Sequence, residues 1–98
     1  MKVKINIHSI HFDADRKLLE FIQERVDKLA VFYDRIIEGE VFLKVENTTD
    51  IANKLVEIRL KIPGSDLFAK KLGKSFEEST DEAVEAIRRT IGMCALSL

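Results

Sequence analysis

The residues best equipped for metal binding lie close together near the amino terminus. His8 and His11 are three positions apart and are followed by Asp13 and Asp15. On a helix this spacing would place metal ligands on one face. The residues around His8 alternate as in a strand, however, where side chains three positions apart point to opposite faces. The pattern therefore favours histidines that form hydrogen bonds in a turn over a metal site.

The same segment raises the question of nucleophilic catalysis, because Ser9 stands two positions before His11. An activated serine also needs a group that orients the histidine and amide donors for an oxyanion, and neither follows in the sequence. Gly64 and Gly73 are isolated, so there is no glycine-rich loop of the phosphate-binding kind. The single cysteine, Cys94, has no partner for an internal disulfide. We therefore expect neither an enzyme nor a bound cofactor.

Cationic side chains are the remaining candidates for a binding function. The formal net charge is −1, which argues against a protein that coats nucleic acid by its overall charge. The distribution is uneven, since residues 54–74 contain six basic and two acidic side chains, whereas residues 13–40 contain five basic and eight acidic ones. We predict a molecule that is polarised rather than neutral throughout.

Three cations of the first predicted helix illustrate the ambiguity of such charges. Lys17 and Lys28 fall on one flank of the helix, and Arg25 adjoins its apolar stripe. This arrangement is more typical of a solvated helix face, with an ion pair between Glu24 and Lys28, than of a binding site.

The lysines at positions 70, 71 and 74 are equally well explained in two ways. They can contact phosphate, or they can protect an exposed sheet edge from unwanted strand pairing. On the fourth predicted strand Phe68, Lys70 and Leu72 share one side. A sheet face with aromatic and basic groups could stack RNA bases or meet another protein, and an aromatic content of 7% favours protein contact.

Hydropathy periodicity predicts six elements in the order β-α-β-β-β-α. Alternation of apolar and polar residues predicts strands, and apolar residues at three- and four-residue spacing predict helices. The strands cover residues 3–7, 41–46, 55–62 and 67–72, and the helices cover about 14–33 and 76–91. Short connections make the last three strands antiparallel neighbours. The predicted fold is α+β, a two-layer sandwich of a four-stranded sheet with both helices on one face.

Local signals mark the helix starts. Asp13 or Asp15 can cap the first helix by accepting a hydrogen bond from a free amide. Ser75 and Glu78 have the spacing of a capping box, in which each side chain accepts from a backbone amide of the first turn.

Turn signals mark the boundaries of the strands. Pro63-Gly64 fits the central positions of a type II turn and predicts a hairpin, because proline presets the first angle and glycine accepts the positive one. Gly39, near the start of the second strand, is a candidate β-bulge.

Length and composition indicate one domain. The 98 residues are 46% hydrophobic, which is enough for a single two-layer core. The amino terminus goes directly into alternating residues, and no apolar run approaches the length of a membrane span. We expect a cytoplasmic protein with no membrane partner and no small-molecule substrate.

Segments around the first helix and at the start of the second carry a family resemblance. They are Lys28-Leu29 through Phe32-Tyr33-Asp34-Arg35-Ile36, the strand Val41–Glu46, and Phe76–Ala83 leading into Arg88-Arg89. With the order and length of the elements, they make the chain similar over roughly residues 2–91 to the ribosome hibernation-promoting factors. That family, the sigma-54 modulation family, includes the ribosome-associated inhibitor A branch. The resemblance implies a fold similar to double-stranded-RNA-binding domains and a single ribosome-binding domain over residues 1–98, as in the short form.

The resemblance also implies a function. Family members bind small-subunit ribosomal RNA and block the messenger and transfer-RNA sites under stress or in stationary phase, without a cofactor or a catalytic step. The expected partner is therefore the small ribosomal subunit. Carried over to matching positions, the resemblance implies RNA contacts at Lys28, Arg35, Arg88 and Arg89, and less directly at Lys17, Arg25, Lys70, Lys71 and Lys74.

Residues 92–98 depart from the family pattern, because they form an apolar tail where relatives carry lysines. The missing lysines remove phosphate contacts, and the tail could instead pair with another copy. The alternative function is therefore a protein-interaction or dimerisation module that uses the exposed sheet face or this tail. A third and least favoured hypothesis is a small ferredoxin-like enzyme, which requires residues 93–98 to form a final strand.

Overall fold

The computed structural model describes residues 3–10, 13–46 and 51–96, with side chains described as far as Ile91. The elements are β1 (Ile5–Ile10), α1 (Arg16–Phe32), β2 (Glu38–Val45), β3 (Lys54–Ile62), β4 (Ser65–Gly73) and α2 (Phe76–Leu96). The predicted α+β class and element order are confirmed. Because α2 continues to Leu96, residues 93–96 are helical, and the ferredoxin-like alternative loses its final strand.

The four strands form one sheet in the order β1-β2-β3-β4. The last three strands are antiparallel neighbours as predicted, and β1 pairs in parallel with β2 because α1 crosses the sheet between them. Gly39 lies in regular pairing with Ile5 on one side and Leu60 on the other, so the predicted bulge is wrong. A β-carbon at Gly39 would stand 2.6 Å from Cδ2 of Leu60, so the buried Leu60 side chain would have to shift to admit it.

The core lies between the sheet and the two helices. Removal of these apolar side chains from water supplies the main stabilisation of the fold. The buried apolar side chains of the helices are Leu18, Ile22, Val26, Leu29, Ala30, Ala83, Ile87 and Ile91, and those of the sheet include Val41, Leu43, Val56, Ile58, Leu60, Leu67 and Ala69. Leu19 and Val45, which periodicity assigns to buried faces, are exposed, because they lie at the flank of the helix stripe and at the end of β2.

Both helix starts are capped by side chains. Asp15 accepts a hydrogen bond of 2.8 Å from the amide of Leu18, which selects it from the two predicted candidates. Ser75 accepts from the amide of Glu78 at 3.1 Å, as predicted. The Glu78 carboxylate, however, accepts from the amide of Lys74 at 2.7 Å, one residue earlier than the expected capping box.

The hairpin between β3 and β4 turns at Pro63-Gly64, as predicted. Ile62 pairs with Ser65, which leaves two residues in the loop. Gly64 has a φ of 79°, the positive angle that the third residue of a type II turn requires.

The two helices run parallel across the sheet. Arg25 near the middle of α1 contacts Asp81 in the first part of α2. Farther along both helices, Phe32 contacts Arg88. Because these contacts advance in the same direction along both helices, the amino ends lie at one edge of the helix layer and the carboxyl ends at the other.

Candidate nucleic-acid interface

An open groove between α1 and α2 brings together five of the cations named from the sequence. We call it the interhelical groove. Its basic lining residues are Arg25 and Lys28 on α1, Lys71 on β4, and Arg88 and Arg89 on α2. They come from three elements separated by up to about 60 positions in the chain, so only the folded structure makes them neighbours.

The fold explains this convergence. Arg25 and Lys28 lie in the carboxyl-terminal half of α1, and Arg88 and Arg89 lie in the second half of α2. Because the helices are parallel, both pairs face the same end of the helix layer. Lys71 joins them from the sheet because it follows Leu67 and Ala69 on the side of β4 that faces the helices.

Carboxylates of α2 partly neutralise the groove. Arg25 forms an ion pair of 2.9 Å with Asp81. Glu85 lies 4.0 Å from a nitrogen of Arg88 and 3.7 Å from a nitrogen of Arg89. With Glu82, the lining holds three acidic side chains against five basic ones, a net charge of +2.

The ion pairs of the groove are weak because their partners are exposed, apart from Arg25, which is half-buried. Lys28 lies 3.4 Å from Glu24, and the predicted pair is confirmed. Exposed pairs of this kind contribute about 0–1 kcal/mol each, so a phosphate can replace a carboxylate at little cost. Lys71 differs from the others, since its ammonium has no ion pair within 4.0 Å among the side chains that the structure describes.

Two aromatic rings support arginines at the groove. The Arg25 guanidinium lies 4.7 Å from the ring centroid of Phe21, and that of Arg88 lies 5.1 Å from the ring centroid of Phe32. Phe32 remains 51% exposed. Sequence reasoning missed both rings. The four-residue spacing of Phe21 and Arg25 could have predicted their contact, because residues four positions apart are neighbours on a helix. Phe32 and Arg88 lie on different helices and meet only in the tertiary structure.

Four of the named cations lie outside the groove. Lys17 lines a separate depression at the amino ends of the helices, together with the acidic Asp13, Asp15 and Glu77. Arg35 is exposed after α1, and Lys74 is exposed before α2. Lys70 lies on the opposite side of the sheet from the helices. The nine residues therefore do not share one surface.

The basic segment 54–74 does not form one basic surface either. Its residues alternate between the two sides of the sheet. On the side away from the helices, Lys70 is paired in register with Glu57, and Arg59 with Glu40. The basic residues on this side therefore have acidic register neighbours and do not form a continuous basic patch.

The histidine cluster does not form a site in the described structure. The imidazole of His8 stacks on Phe42 with a centroid distance of 4.9 Å and an interplanar angle of 17°. His11 lies outside the described residues. Over residues 3–10, 13–46 and 51–91, no three His, Cys, Asp or Glu side chains are grouped as metal ligands. In the described part of the chain, no helix has the length and hydropathy to cross a bilayer.

Comparison with known proteins decides the family. Residues 5–92 match the model of the family described as Sigma 54 modulation protein / S30EA ribosomal protein. The chain belongs to this family. This is not a family of enzymes, so the expectation of a protein without catalytic activity is confirmed. The family predicted from the segments around α1 and at the start of α2 is also confirmed.

Individual relatives are distant but match over most of their length. The chain is 25% identical over 89 residues to a ribosome hibernation promoting factor of Klebsiella oxytoca, a match that covers 91% of this chain and 90% of that protein. A ribosome hibernation promoting factor of Pseudomonas putida is 22% identical over 89 residues, which cover 91% of this chain and 83% of the relative.

Solved structures confirm the fold. A ribosomal subunit interface protein from Coxiella burnetii superimposes with a TM-score of 0.83 at 15% identity and covers 96% of this chain and 99% of its own. The N-terminal domain of Protein Y from Thermus thermophilus gives a TM-score of 0.76 at 13% identity, with 93% and 96% covered. At these identities the likeness establishes the architecture alone.

Proposed function

We propose that this protein is a ribosome hibernation factor that binds small-subunit ribosomal RNA through the interhelical groove and blocks the messenger and transfer-RNA sites. Family membership and the names of the relatives support the association with ribosomes. The assignment to RNA phosphate rests on the groove. The proposed function places the protein in the cytoplasm, where ribosomes act.

The observation that carries the proposal is the convergence of five cations in one open groove. A concave surface with exposed, flexible ammonium and guanidinium groups suits a phosphate backbone that follows the groove. Contacts to phosphate position a protein without reading sequence, so recognition would depend on the shape of folded RNA.

The carboxylates within the groove limit nonspecific binding. A net of +2 within the groove and −1 for the whole chain gives little attraction to an arbitrary nucleic acid. Binding would require an RNA surface whose phosphates meet Arg25, Arg88 and Arg89 at the same time and displace Asp81 and Glu85. Such a requirement suits a structural site on the ribosome better than free RNA.

Sedimentation with purified small subunits tests the proposal. The wild-type protein is expected to co-sediment with them and to dissociate as salt rises. Replacement of Lys28, Arg88 and Arg89 by glutamate should abolish this binding, because it removes three of the five groove cations and adds three negative charges. Arg59, Lys61 and Lys70 provide a matched control, since their reversal changes the charge equally on the other side of the sheet.

Retention of binding by the groove variant, with loss in the control, would contradict the groove assignment.

The blocking mechanism needs its own measurement. Small subunits saturated with the protein should fail to bind transfer RNA programmed by a messenger, whereas subunits mixed with the groove variant should bind it normally. Simultaneous binding of protein and transfer RNA would exclude occlusion.

A further inference from the structure

The side of the sheet opposite the helices has its own charge pattern. We call it the outer face. Its side chains follow from strand alternation and register, and all come from the described strands or the residues beside them. They are Lys4, Asn6, His8 and Ile10 along β1, Glu38, Glu40, Phe42 and Lys44 on β2, Leu55, Glu57, Arg59 and Lys61 on β3, and Asp66, Phe68, Lys70 and Leu72 on β4.

The two central strands carry opposite charge at one end of the outer face. Glu38 and Glu40 lie on β2, and their register partners on β3 are Lys61 and Arg59. The acidic pair and the basic pair therefore stand side by side as two short columns. The border between β2 and β3 separates them.

These charges have no ion-pair partner in the described protomer. All ion pairs within 4.0 Å that involve described side chains lie on the helices. Glu40 and Arg59 are exposed, as are Glu38 and Lys61. The outer face thus offers charges of both signs that form no ion pair, and the Arg59 guanidinium lies 5.8 Å from the ring centroid of Phe68. Such a mixture is unsuitable for an RNA backbone and suitable for a surface with the complementary arrangement.

We propose that the outer face binds the outer face of a second copy of this chain, around a twofold axis that runs parallel to the strands between β2 and β3. Such an axis exchanges β2 and β3. It places Glu40 of one copy opposite Arg59 of the other and Glu38 opposite Lys61, each pair occurring twice. The face is therefore complementary to itself in charge.

The same axis matches apolar residues at the other end of the face. It exchanges β1 and β4, which brings Ile10 opposite Leu72, side chains that are 37% and 47% exposed in the protomer. Sheets packed face to face at about 10 Å bury such side chains between them.

An axis perpendicular to the strands gives a poorer match. It would pair Glu38 with Lys44 and Glu57 with Arg59, but it would place five charges opposite apolar side chains, those of Lys4, Glu40, Lys61, Asp66 and Lys70. The parallel axis does so for two charges, those of Lys44 and Glu57. Burial of a charge against an apolar side chain without a partner costs stability. The parallel axis is therefore the arrangement that the residues support.

The size of the face indicates weak association. Four strands spaced about 4.8 Å apart and four alternating rows of side chains cover on the order of 400 Å² in projection. Stable interfaces bury about 800 Å² on each partner. We expect a dimer that forms only at high protein concentration. It leaves the interhelical groove uncovered, so it does not depend on the ribosomal role.

Two charge variants test this arrangement by sedimentation equilibrium. Glu38→Lys/Glu40→Lys makes both columns basic, and Arg59→Glu/Lys61→Glu makes both acidic. The wild type should shift from monomer towards dimer as its concentration rises to the order of 1 mM, since the face is about half the size of a standard interface. Each variant alone should remain monomeric, whereas an equimolar mixture should form a one-to-one heterodimer.

Folding and specificity need controls. Like charges opposite each other across strands destabilise a sheet, so circular dichroism must first show that both variants keep the wild-type fold. Glu20→Lys/Glu24→Lys introduces the same charge change on α1 and should dimerise as the wild type does. A wild type that stays monomeric at every concentration, or variants that fail to associate when mixed, would overturn the proposal. Neither result would affect small-subunit binding through the groove.

Discussion

The neighbouring lysines 70 and 71 offer the sharpest test of the groove, because consecutive residues of a strand point to opposite sides. Lys71 lines the interhelical groove. Lys70 lies on the outer face and is paired in register with Glu57. The substitutions Lys71→Gln and Lys70→Gln remove the same charge one position apart, so a difference in net charge cannot account for a difference in binding.

The expected size of the effect follows from counterion release. Each phosphate contact contributes about 0.7–0.9 to the slope of log affinity against log salt, which is about a 5- to 8-fold contribution at about 0.1 M salt relative to 1 M. Lys71 has no ion pair to give up among the described side chains. Its full contribution should therefore be available to phosphate, in contrast to Arg25, which must first leave Asp81.

We therefore expect Lys71→Gln to weaken binding to small subunits by about 5- to 8-fold at about 0.1 M salt and to reduce the salt slope by about 0.7–0.9. Lys70→Gln should leave both quantities unchanged. Fluorescence anisotropy of labelled protein, titrated with small subunits at several potassium concentrations and constant magnesium, measures affinity and slope together. Equal losses for the two variants, or a larger loss for Lys70→Gln, would refute the assignment of the groove.

Three further predictions concern α2. Ser79→Ala should lower the free energy of unfolding by about 1 kcal/mol in urea titrations, because the buried hydroxyl donates a 2.6 Å hydrogen bond to the carbonyl of Lys54; an unchanged value would show that this bond contributes nothing. Thr80→Val should raise the free energy of unfolding by about 1 kcal/mol, since its buried hydroxyl has no hydrogen-bond partner among the described residues; destabilisation would indicate an unrecognised partner. Asp81→Asn should strengthen binding to small subunits, since it frees Arg25, and should cost less than about 1 kcal/mol of stability; weaker binding would contradict the role of Asp81 as a competitor of phosphate.

Local sequence patterns predicted the elements well, because their causes are local. The alternation of Val41 and Leu43, the spacing of Leu18, Ile22 and Val26, and the Pro63-Gly64 turn each act over a few residues. The prediction failed at Gly39, where a bulge was expected. The strand instead keeps regular register there, and the glycine leaves room for the side chain of Leu60, a contact between residues 21 positions apart.

The candidate site was only partly accessible from the sequence. The sequence supplied the cations and, through the family resemblance, named all five that line the groove. It could not separate them from Lys17, Arg35, Lys70 and Lys74, because the location of a side chain depends on how its element packs. It also missed Phe32, whose contact with Arg88 joins two helices.

By itself, the sequence indicated the family through its motifs. It also determined the order of the elements and most of the buried stripe of each helix. These depend on spacing of 2 to 4 residues, which the chain carries whatever its tertiary contacts. Only the tertiary structure decided that β1 pairs in parallel with β2, that the helices lie parallel, and that Lys71 faces the groove while Lys70 faces away from it. The order of charges along the chain does not specify a charged surface. Sheet register and helix packing determine which side chains lie beside a carboxylate and which line the interhelical groove.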